Sequence, residues 1–258
     1  MVNWEPDLYR RYEAERSQPA KDLLSRVALK APQMLVDLGC GPGNSTQLLA
    51  ERWPDAEILG IDNSEAMLES ARKRLPEARF EAADITAWRP GATPDLIFAN
   101  ASLQWIPDHD TLLPRLFGLL SPGGMLAVQM PDNQAEPTHR LMREIAAQPP
   151  FAAEIPDAVR LRIPAQPLLD YYDLLSARGA QVEVWRTVYN HPMASPEAIV
   201  DWVRGSGLKA FLERLNPDLR PEFLARYTAA IAEAYPPRAD GRLILAFPRM
   251  FITARRKT

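Results

Sequence analysis

Val36-Asp37-Leu38-Gly39-Cys40-Gly41-Pro42-Gly43-Asn44-Ser45-Thr46 is the stretch whose reading decides the fold. An apolar run from Met34 to Leu38 ends in three alternating glycines and passes into a helix-patterned segment, which predicts a strand, a tight turn and a helix N-terminus. Glycine is required where backbone must take unusual dihedrals or let a ligand lie against it, so the turn reads as a nucleotide-type binding loop. A P-loop closes its glycine run with Lys and Ser/Thr, and no lysine lies between Lys30 and Lys73. A dinucleotide fingerprint, G-x-G-x-x-G/A, needs a small third residue to pack helix on strand. Started at Gly41 it meets Thr46, and started at Gly39 it meets Asn44, so neither register fits. A carboxylate at Asp37, just before the loop, repels a pyrophosphate and suits a ligand carrying an ammonium and a sulfonium.

The D-x-G-x-G-x-G pattern from Asp37 to Gly43 resembles that of class I S-adenosylmethionine-dependent methyltransferases, over about Met34 to Met130. The resemblance implies that Gly39, Gly41, Gly43 and Asn44 cradle S-adenosyl-L-methionine. Asp62 follows Gly41 by about 20 residues at the end of the next short strand, Glu57 to Ile61, where an acidic side chain can accept both ribose hydroxyls of an adenosine. Asn63-Ser64 then opens a helix with Ser64 as N-cap and Met67 inward, placed to lie on an adenine ring. A third strand, Ala78 to Ala82, leads to Asp84 for the adenine amino group and Ile85 for the ring. Asp37, Asp62 and Asp84, each ending a successive strand, match the rule that ligands of open α/β sheets sit at the carboxyl ends of strands.

The fourth strand, Asp95 to Ala99, runs into Asn100-Ala101-Ser102-Leu103-Gln104-Trp105. Methyltransferases of amide or base nitrogens usually carry an Asn/Asp-Pro-Pro-aromatic turn there. This segment instead resembles those of small-molecule methyltransferases, with Asn100, Ser102, Gln104 and Trp105 near the cofactor. The N-terminal segment reads as one or two helices over residues 6 to 29 with a break near Pro19. In methyltransferases of this kind such a helix can fold over the cofactor, which makes Tyr9, Tyr12 and Arg16 lid residues, Tyr12 facing the acceptor. The alternative is that the two tyrosines pack the helix on the sheet.

A chain of 258 residues accommodates one large domain, or one domain with a substantial insertion. It is 47% hydrophobic and 24% charged, with no apolar run near the ~20 residues of a membrane span, so no membrane partner is expected. Met1 to Arg16 lacks the apolar core of a signal peptide, and a single cysteine precludes intrachain disulfides; a cytoplasmic location is expected. Cys40 reads as a small packed side chain rather than a nucleophile. A net charge of -3 leaves no electrostatic footprint for nucleic acid, and Arg255-Arg256-Lys257 is too short to create one. Asp108-His109-Asp110 invites a metal reading, but three adjacent residues before a Leu-rich helix read better as an N-cap and first-turn charges; no metal is expected. Composition leaves the oligomeric state open.

Beyond Met130, helical segments at about 136 to 147 and 167 to 178, an extended run from Val182 to Asn190, more helix from about Pro196 to Tyr235 and a last strand from Leu243 to Ala254 are expected. Trp185 to His191, Asp201 to Leu208 and Ala246 to Phe251, with Trp4 to Leu24, are similar to the trans-aconitate 2-methyltransferase family across nearly the whole chain. The resemblance implies a doubly wound, mostly parallel seven-stranded α/β sheet with its last strand antiparallel. It divides into an N-terminal helical lid (1–30), a cofactor-binding core (31–135) and the remaining strands with an inserted helical cap (136–258, the cap at about 192–240). It implies methyl transfer to one carboxylate of a small polycarboxylic acid, with Arg186 and Arg249 as carboxylate forks supported by Tyr189, His191, Trp202 and Lys209. An ionised carboxylate needs no general base, so no catalytic side chain is assigned. The alternatives are a hydroxyl O-methyltransferase using His191 as base, a cofactor-binding protein without activity, and a nicotinamide oxidoreductase, which the missing third glycine disfavours.

Overall fold

A computed structural model describes residues 13–158 and 165–258, so Tyr9 and Tyr12 lie outside the described residues. Seven strands form one sheet: β1 (Met34–Leu38), β2 (Glu57–Asp62), β3 (Arg79–Ala82), β4 (Leu96–Asn100), β5 (Met125–Pro131), β6 (Gln181–Met193) and β7 (Leu243–Arg255). Their order is β3-β2-β1-β4-β5-β7-β6, with β1 to β5 parallel and β7 antiparallel to β5. The chain leaves β1 toward β2 on one side and later returns as β4 on the other, which makes the carboxyl end of β1 a switch point.

Strand alternation assigns the two faces of the sheet. Val36, Leu38, Leu59, Ile61, Ile97, Ala99, Leu126, Val128, Met250 and Ile252 pack on one face with Leu112, Leu113 and Leu116 of helix α4 (His109–Gly118). Asp37, Asp62, Asn100, Gln129 and Arg249 are of the opposite parity and take the other face. The polar residues at the carboxyl ends of the strands therefore share one side of the sheet.

Helix α1 (Glu13–Ser25) runs through Pro19, where a break was expected. A proline removes one helical hydrogen bond, and the turns beyond it are held by the buried Ala20, Leu23 and Leu24. Arg52, in the last turn of α2 (Asn44–Arg52), donates to the carbonyl of Leu24 and, at 2.8 Å, to that of Val27, closing the end of α1. Ser64 precedes α3 (Glu65–Arg74) as expected, but its hydroxyl makes no capping bond; its amide donates to Asp62 Oδ1 at 2.9 Å.

Two compact units divide the chain. The sheet unit comprises Ala14–Pro131, Ala165–Arg186 and Arg249–Thr258. It takes in α1 from Ala14 on, and α6 (Leu168–Ser176). The second unit holds residues 132–158 and 187–248. Its helices are α5 (Pro137–Ala146), α7 (Pro196–Val203), α8 (Lys209–Leu212) and α9 (Arg220–Ala234), so the helical stretch expected from about Pro196 to Tyr235 comes in three pieces. Gly205 and Gly207 fall in a π-helical turn, Arg204–Leu208, and the next piece ends at Leu212, before a short turn of helix over Pro217–Leu219. This unit has its own core of Met142, Ile145, Trp202, Phe223, Tyr227 and Phe247, with the Tyr227 hydroxyl donating to the carbonyl of Thr138 at 2.8 Å. No described helix is long and apolar enough to cross a membrane.

Candidate cofactor and acceptor site

The glycine loop turns sharply because the amides of Gly39 and Cys40 both donate to the Ile61 carbonyl, at 2.7 and 2.9 Å, pinning the end of β1 to β2. Its three glycines all have positive φ, yet each serves a different neighbour. A Cβ on Gly39 would sit 2.3 Å from the Cβ of Ser102, and one on Gly43 would sit 3.3 Å from that of Ala71 in α3. A Cβ on Gly41 would meet no atom of the described residues within 4 Å. Gly39 and Gly43 are thus explained by packing inside the protein, whereas Gly41 keeps an open backbone face of the kind a ligand covers. Cys40 is buried, its thiol 3.7 Å from the Gly41 carbonyl and pushed far up by burial, so it is a packing residue.

The aspartates differ in what they hold. Asp37 is fully buried, and its Oδ2 accepts from the hydroxyls of Ser45 and Thr46, each at 2.7 Å. Its Oδ1 has no hydrogen-bond partner among the described residues. Burial lifts this carboxyl from its ordinary 3.8 to about 6, opposed by the two hydroxyl donors and reinforced by the Asp62 charge. Asp62, at the end of β2, accepts from the Gly41 amide at 3.0 Å and from the Ser64 amide at 2.9 Å, one bond per carboxylate oxygen. Each oxygen retains a lone pair for a further donor, so this carboxylate both shapes the loop and can take ribose hydroxyls. Asp84 is exposed; its Oδ1 accepts from the amide and hydroxyl of Thr86, at 2.8 and 2.7 Å, which holds its carboxyl below the usual range. It is a turn residue whose Oδ2 alone remains for an adenine amino group. Asn63, next to Asp62 in the chain, is exposed, while Met67 and Ile85 are half-buried, Ile85 against the sheet core.

After β4 the chain passes Ala101 at φ 54, a left-handed conformation rare for residues with a Cβ, and its amide donates to the Gln129 carbonyl at 2.9 Å. This bend brings Ser102 over Gly39, where its hydroxyl donates to the Leu38 carbonyl at 2.6 Å. Ser102 was expected to face a cofactor; buried and committed to the backbone, it is instead the strut of the loop. Gln104 Nε2 donates to the Ala101 carbonyl at 2.7 Å, leaving Oε1 buried and unpaired among the described residues, as is Asn100 Oδ1. Trp105 is half exposed in the following short helix, Leu103–Trp105. His109 is buried between the Tyr171 hydroxyl at 2.7 Å and the Leu103 carbonyl at 2.9 Å, and Asp108 caps α4 through the Thr111 amide at 3.2 Å.

Of the residues expected to hold the acceptor, Arg249 is buried at the start of the sheet unit's part of β7, in register with Pro131 of β5. Arg186 is exposed and lies on the other face. Its strand neighbours fix this: Val182 and Val184 pack on the hydrophobic core, while Trp185 stacks on Phe251 at 4.8 Å. The expected pair of arginines is therefore not brought together. Within the second unit, Tyr189, His191 and Trp202 do meet, His191 lying 4.6 Å from Trp202 and 6.5 Å from Tyr189. Trp202 is buried in that unit's core against Phe247, so its role is packing beneath His191. Lys209 pairs with Glu213 at 3.5 Å across one helical turn. The backbone of Arg16 lies in α1.

Sequence reasoning missed Ser45, Thr46 and Gln129. The signals were two adjacent hydroxyl residues in the first turn after the loop and one amide in the otherwise apolar Met125-Leu126-Ala127-Val128-Gln129-Met130.

Residues 35–124 match the family model described as a methyltransferase domain. Over the whole chain, trans-aconitate 2-methyltransferase from Variovorax paradoxus (strain S110) is 60% identical across 258 residues, covering 100% of both chains. The enzyme of that name from Methylobacterium radiotolerans is 61% identical, covering 99% of each chain, and that from Yersinia pestis (strain Pestoides F) 52%, covering 98% of each. This chain belongs to the trans-aconitate 2-methyltransferase family. Solved structures agree at the level of fold. The YcgJ protein from Bacillus subtilis has a TM-score of 0.62 at 13% identity, covering 93% of this chain and 99% of its own. Haemonchus contortus phosphoethanolamine N-methyltransferase 2, in complex with S-adenosyl-L-methionine, has a TM-score of 0.54 at 17% identity, covering 93% of this chain and 53% of its own.

Proposed function

We propose that this chain transfers a methyl group from S-adenosyl-L-methionine to one carboxylate of trans-aconitate, releasing a monomethyl ester. The observation that carries this reading is the 60% identity, over all 258 residues, to a relative named for that reaction. The residues present fit the donor. Gly41 offers a backbone face that any Cβ would obstruct, Asp62 has lone pairs for two hydroxyls, and Asp37 sets a buried negative charge behind the loop. The donor supplies a methyl group on a positively charged sulfur. Asp84, Ile85, Met67 and Asn63 are assigned to the adenosine end, and Asn100, Gln104 and Trp105 to the side on which the acceptor enters.

Arg249 is the chain's fork for an acceptor carboxylate, because a buried guanidinium binds a planar anion through two parallel hydrogen bonds. Arg186, exposed on the other face, is not part of this assignment. The acceptor oxygen bonds to the methyl carbon as the carbon–sulfur pair withdraws to sulfur. One positive and one negative charge vanish, and no proton moves. A carboxylate ionised at neutral pH needs no base, so catalysis rests on alignment and on excluding water. The reading also implies an acidic small-molecule partner and a location where that acid and the donor are found, the cytoplasm.

Incubation of the purified chain with methyl-labelled S-adenosyl-L-methionine and trans-aconitate, followed by mass spectrometry, tests the reading. One labelled monomethyl ester is expected. Labelling of hydroxyl acceptors but not of trans-aconitate would overturn it.

A further inference from the structure

Gln129 stands out by its cost. It lies in β5 with no exposed surface, its carbonyl bonded to the Ala101 amide, yet neither Oε1 nor Nε2 of its side chain has a hydrogen-bond partner among the described residues. A primary amide taken out of water on both its donor and acceptor sides bears the full desolvation penalty, and Met or Leu would fill a strand position at none. Its neighbours in β5 are such residues: Met125, Leu126, Val128 and Met130 are all buried. An amide held at this cost is one that a group beyond the described residues would satisfy.

The register shows which partner. Gln129 is opposite Asn100 of β4 on one side and Phe251 of β7 on the other. Arg249 sits two residues from Phe251, on the same face, and is therefore the diagonal neighbour of Gln129, a spacing that long side chains bridge. Of the residues assigned to the donor, Gly41 follows β1, Asp62 ends β2 and Asp84 follows β3, all on the far side of the switch point from β4 and β5. Gln129 and Arg249 are on the acceptor side. A guanidinium and a neutral amide next to each other suit an anion with two carboxylates held differently: the cation grips one that does not react. The amide orients the other without neutralising the charge that makes its oxygen nucleophilic.

Resting on the trans-aconitate reading above, we infer that Gln129 is a specificity-determining residue whose amide donates to the acceptor carboxylate that receives the methyl group, beside an Arg249-bound second carboxylate. The test uses the full chain and two variants of similar shape. In Gln129→Met, kcat/KM for trans-aconitate should fall about tenfold to a hundredfold, the loss expected for one hydrogen bond to a charged group. Calorimetric affinity for S-adenosyl-L-methionine and the unfolding temperature should hold or, for the latter, rise. In Gln129→Glu the introduced carboxylate repels the acceptor, so kcat/KM should fall further at pH 8 and recover toward pH 6 as that carboxyl protonates. A structural role moves neither the pH profile nor the split between acceptor and donor. If wild type esterifies trans-aconitate while either variant keeps kcat/KM within about twofold, the assignment of Gln129 is overturned and the function stands. If wild type forms no ester, the function is overturned and this assignment with it.

Discussion

Replacing Asp37 with asparagine separates what this carboxylate does for the fold from what it does for the ligand. Asp37 is fully buried with one oxygen unpaired among the described residues, and burial lifts its carboxyl from the ordinary 3.8 to about 6 in the fold. The raised value means the protonated form is favoured on folding. Stability from this group is complete below about 3.8, declines as pH climbs through about 6, and is gone above it. At about 1.4 kcal/mol per pH unit, ionisation in the fold costs roughly 3 kcal/mol at pH 8 and roughly 1 kcal/mol at pH 4.5. The amide introduced by Asp37→Asn carries no such dependence, although its hydrogens lack an acceptor where Oδ1 now lies. Relative to wild type, Asp37→Asn should therefore gain roughly 2 kcal/mol between pH 4.5 and 8, about 4 to 8 °C in unfolding temperature for a domain of this size. The ligand responds in the opposite sense. A cationic donor favours ionised Asp37, so its binding to wild type should tighten as pH rises from about 5 to 7, whereas Asp37→Asn should bind about tenfold more weakly at pH 8 with no such rise. Thermal unfolding and calorimetry across that range give both curves. A stability difference that does not change with pH would refute the buried-carboxylate argument, and equal donor affinity at pH 8 would refute the electrostatic one.

The two loop glycines should part company. Gly39→Ala forces a Cβ to 2.3 Å from that of Ser102 in a left-handed backbone, and should destabilise by roughly 2 to 5 kcal/mol, whereas Gly41→Ala bears only about 1 to 2 kcal/mol of backbone strain but loses donor binding. Unfolding curves and titrations on both variants check this, and donor affinity retained in Gly41→Ala would remove that face from the site. Asp62→Ala should weaken donor binding by about 1.5 to 3 kcal/mol, the range of a charge-assisted hydrogen bond, and also loosen the loop by freeing the Gly41 and Ser64 amides. Calorimetry measures the first and amide hydrogen exchange the second. Transfer without a general base predicts kcat level from about pH 6 to 9 in wild type and in His191→Gln; a rising limb that vanishes in the variant would make His191 a base and the acceptor a hydroxyl.

Much of the fold was legible locally. Short apolar strands, glycines at positive φ and aspartates at strand ends are properties of short stretches, because backbone dihedrals and the two-residue strand period act over a few bonds. That was enough for the first strands and the glycine loop between β1 and α2, while the parallel sheet with its antiparallel last strand was implied by the family resemblance. Tertiary structure decided what each polar residue is committed to. Ser102 could not be known as the strut over Gly39, because the two are far apart in the chain and a left-handed Ala101 brings them together. Pro19 does not break α1, because burial farther along outweighs one lost hydrogen bond. Arg186 and Arg249 looked equivalent as lone cations in similar segments, until strand parity put them on opposite faces. Gln129, one polar letter in an apolar strand, acquired meaning once the register set it diagonal to Arg249 with its amide buried and unpaired among the described residues. Sequence specifies which groups are available, and the pairing of distant strands specifies which of them are left for a ligand, since a hydrogen-bonding group satisfied within the chain has little left to offer outside it.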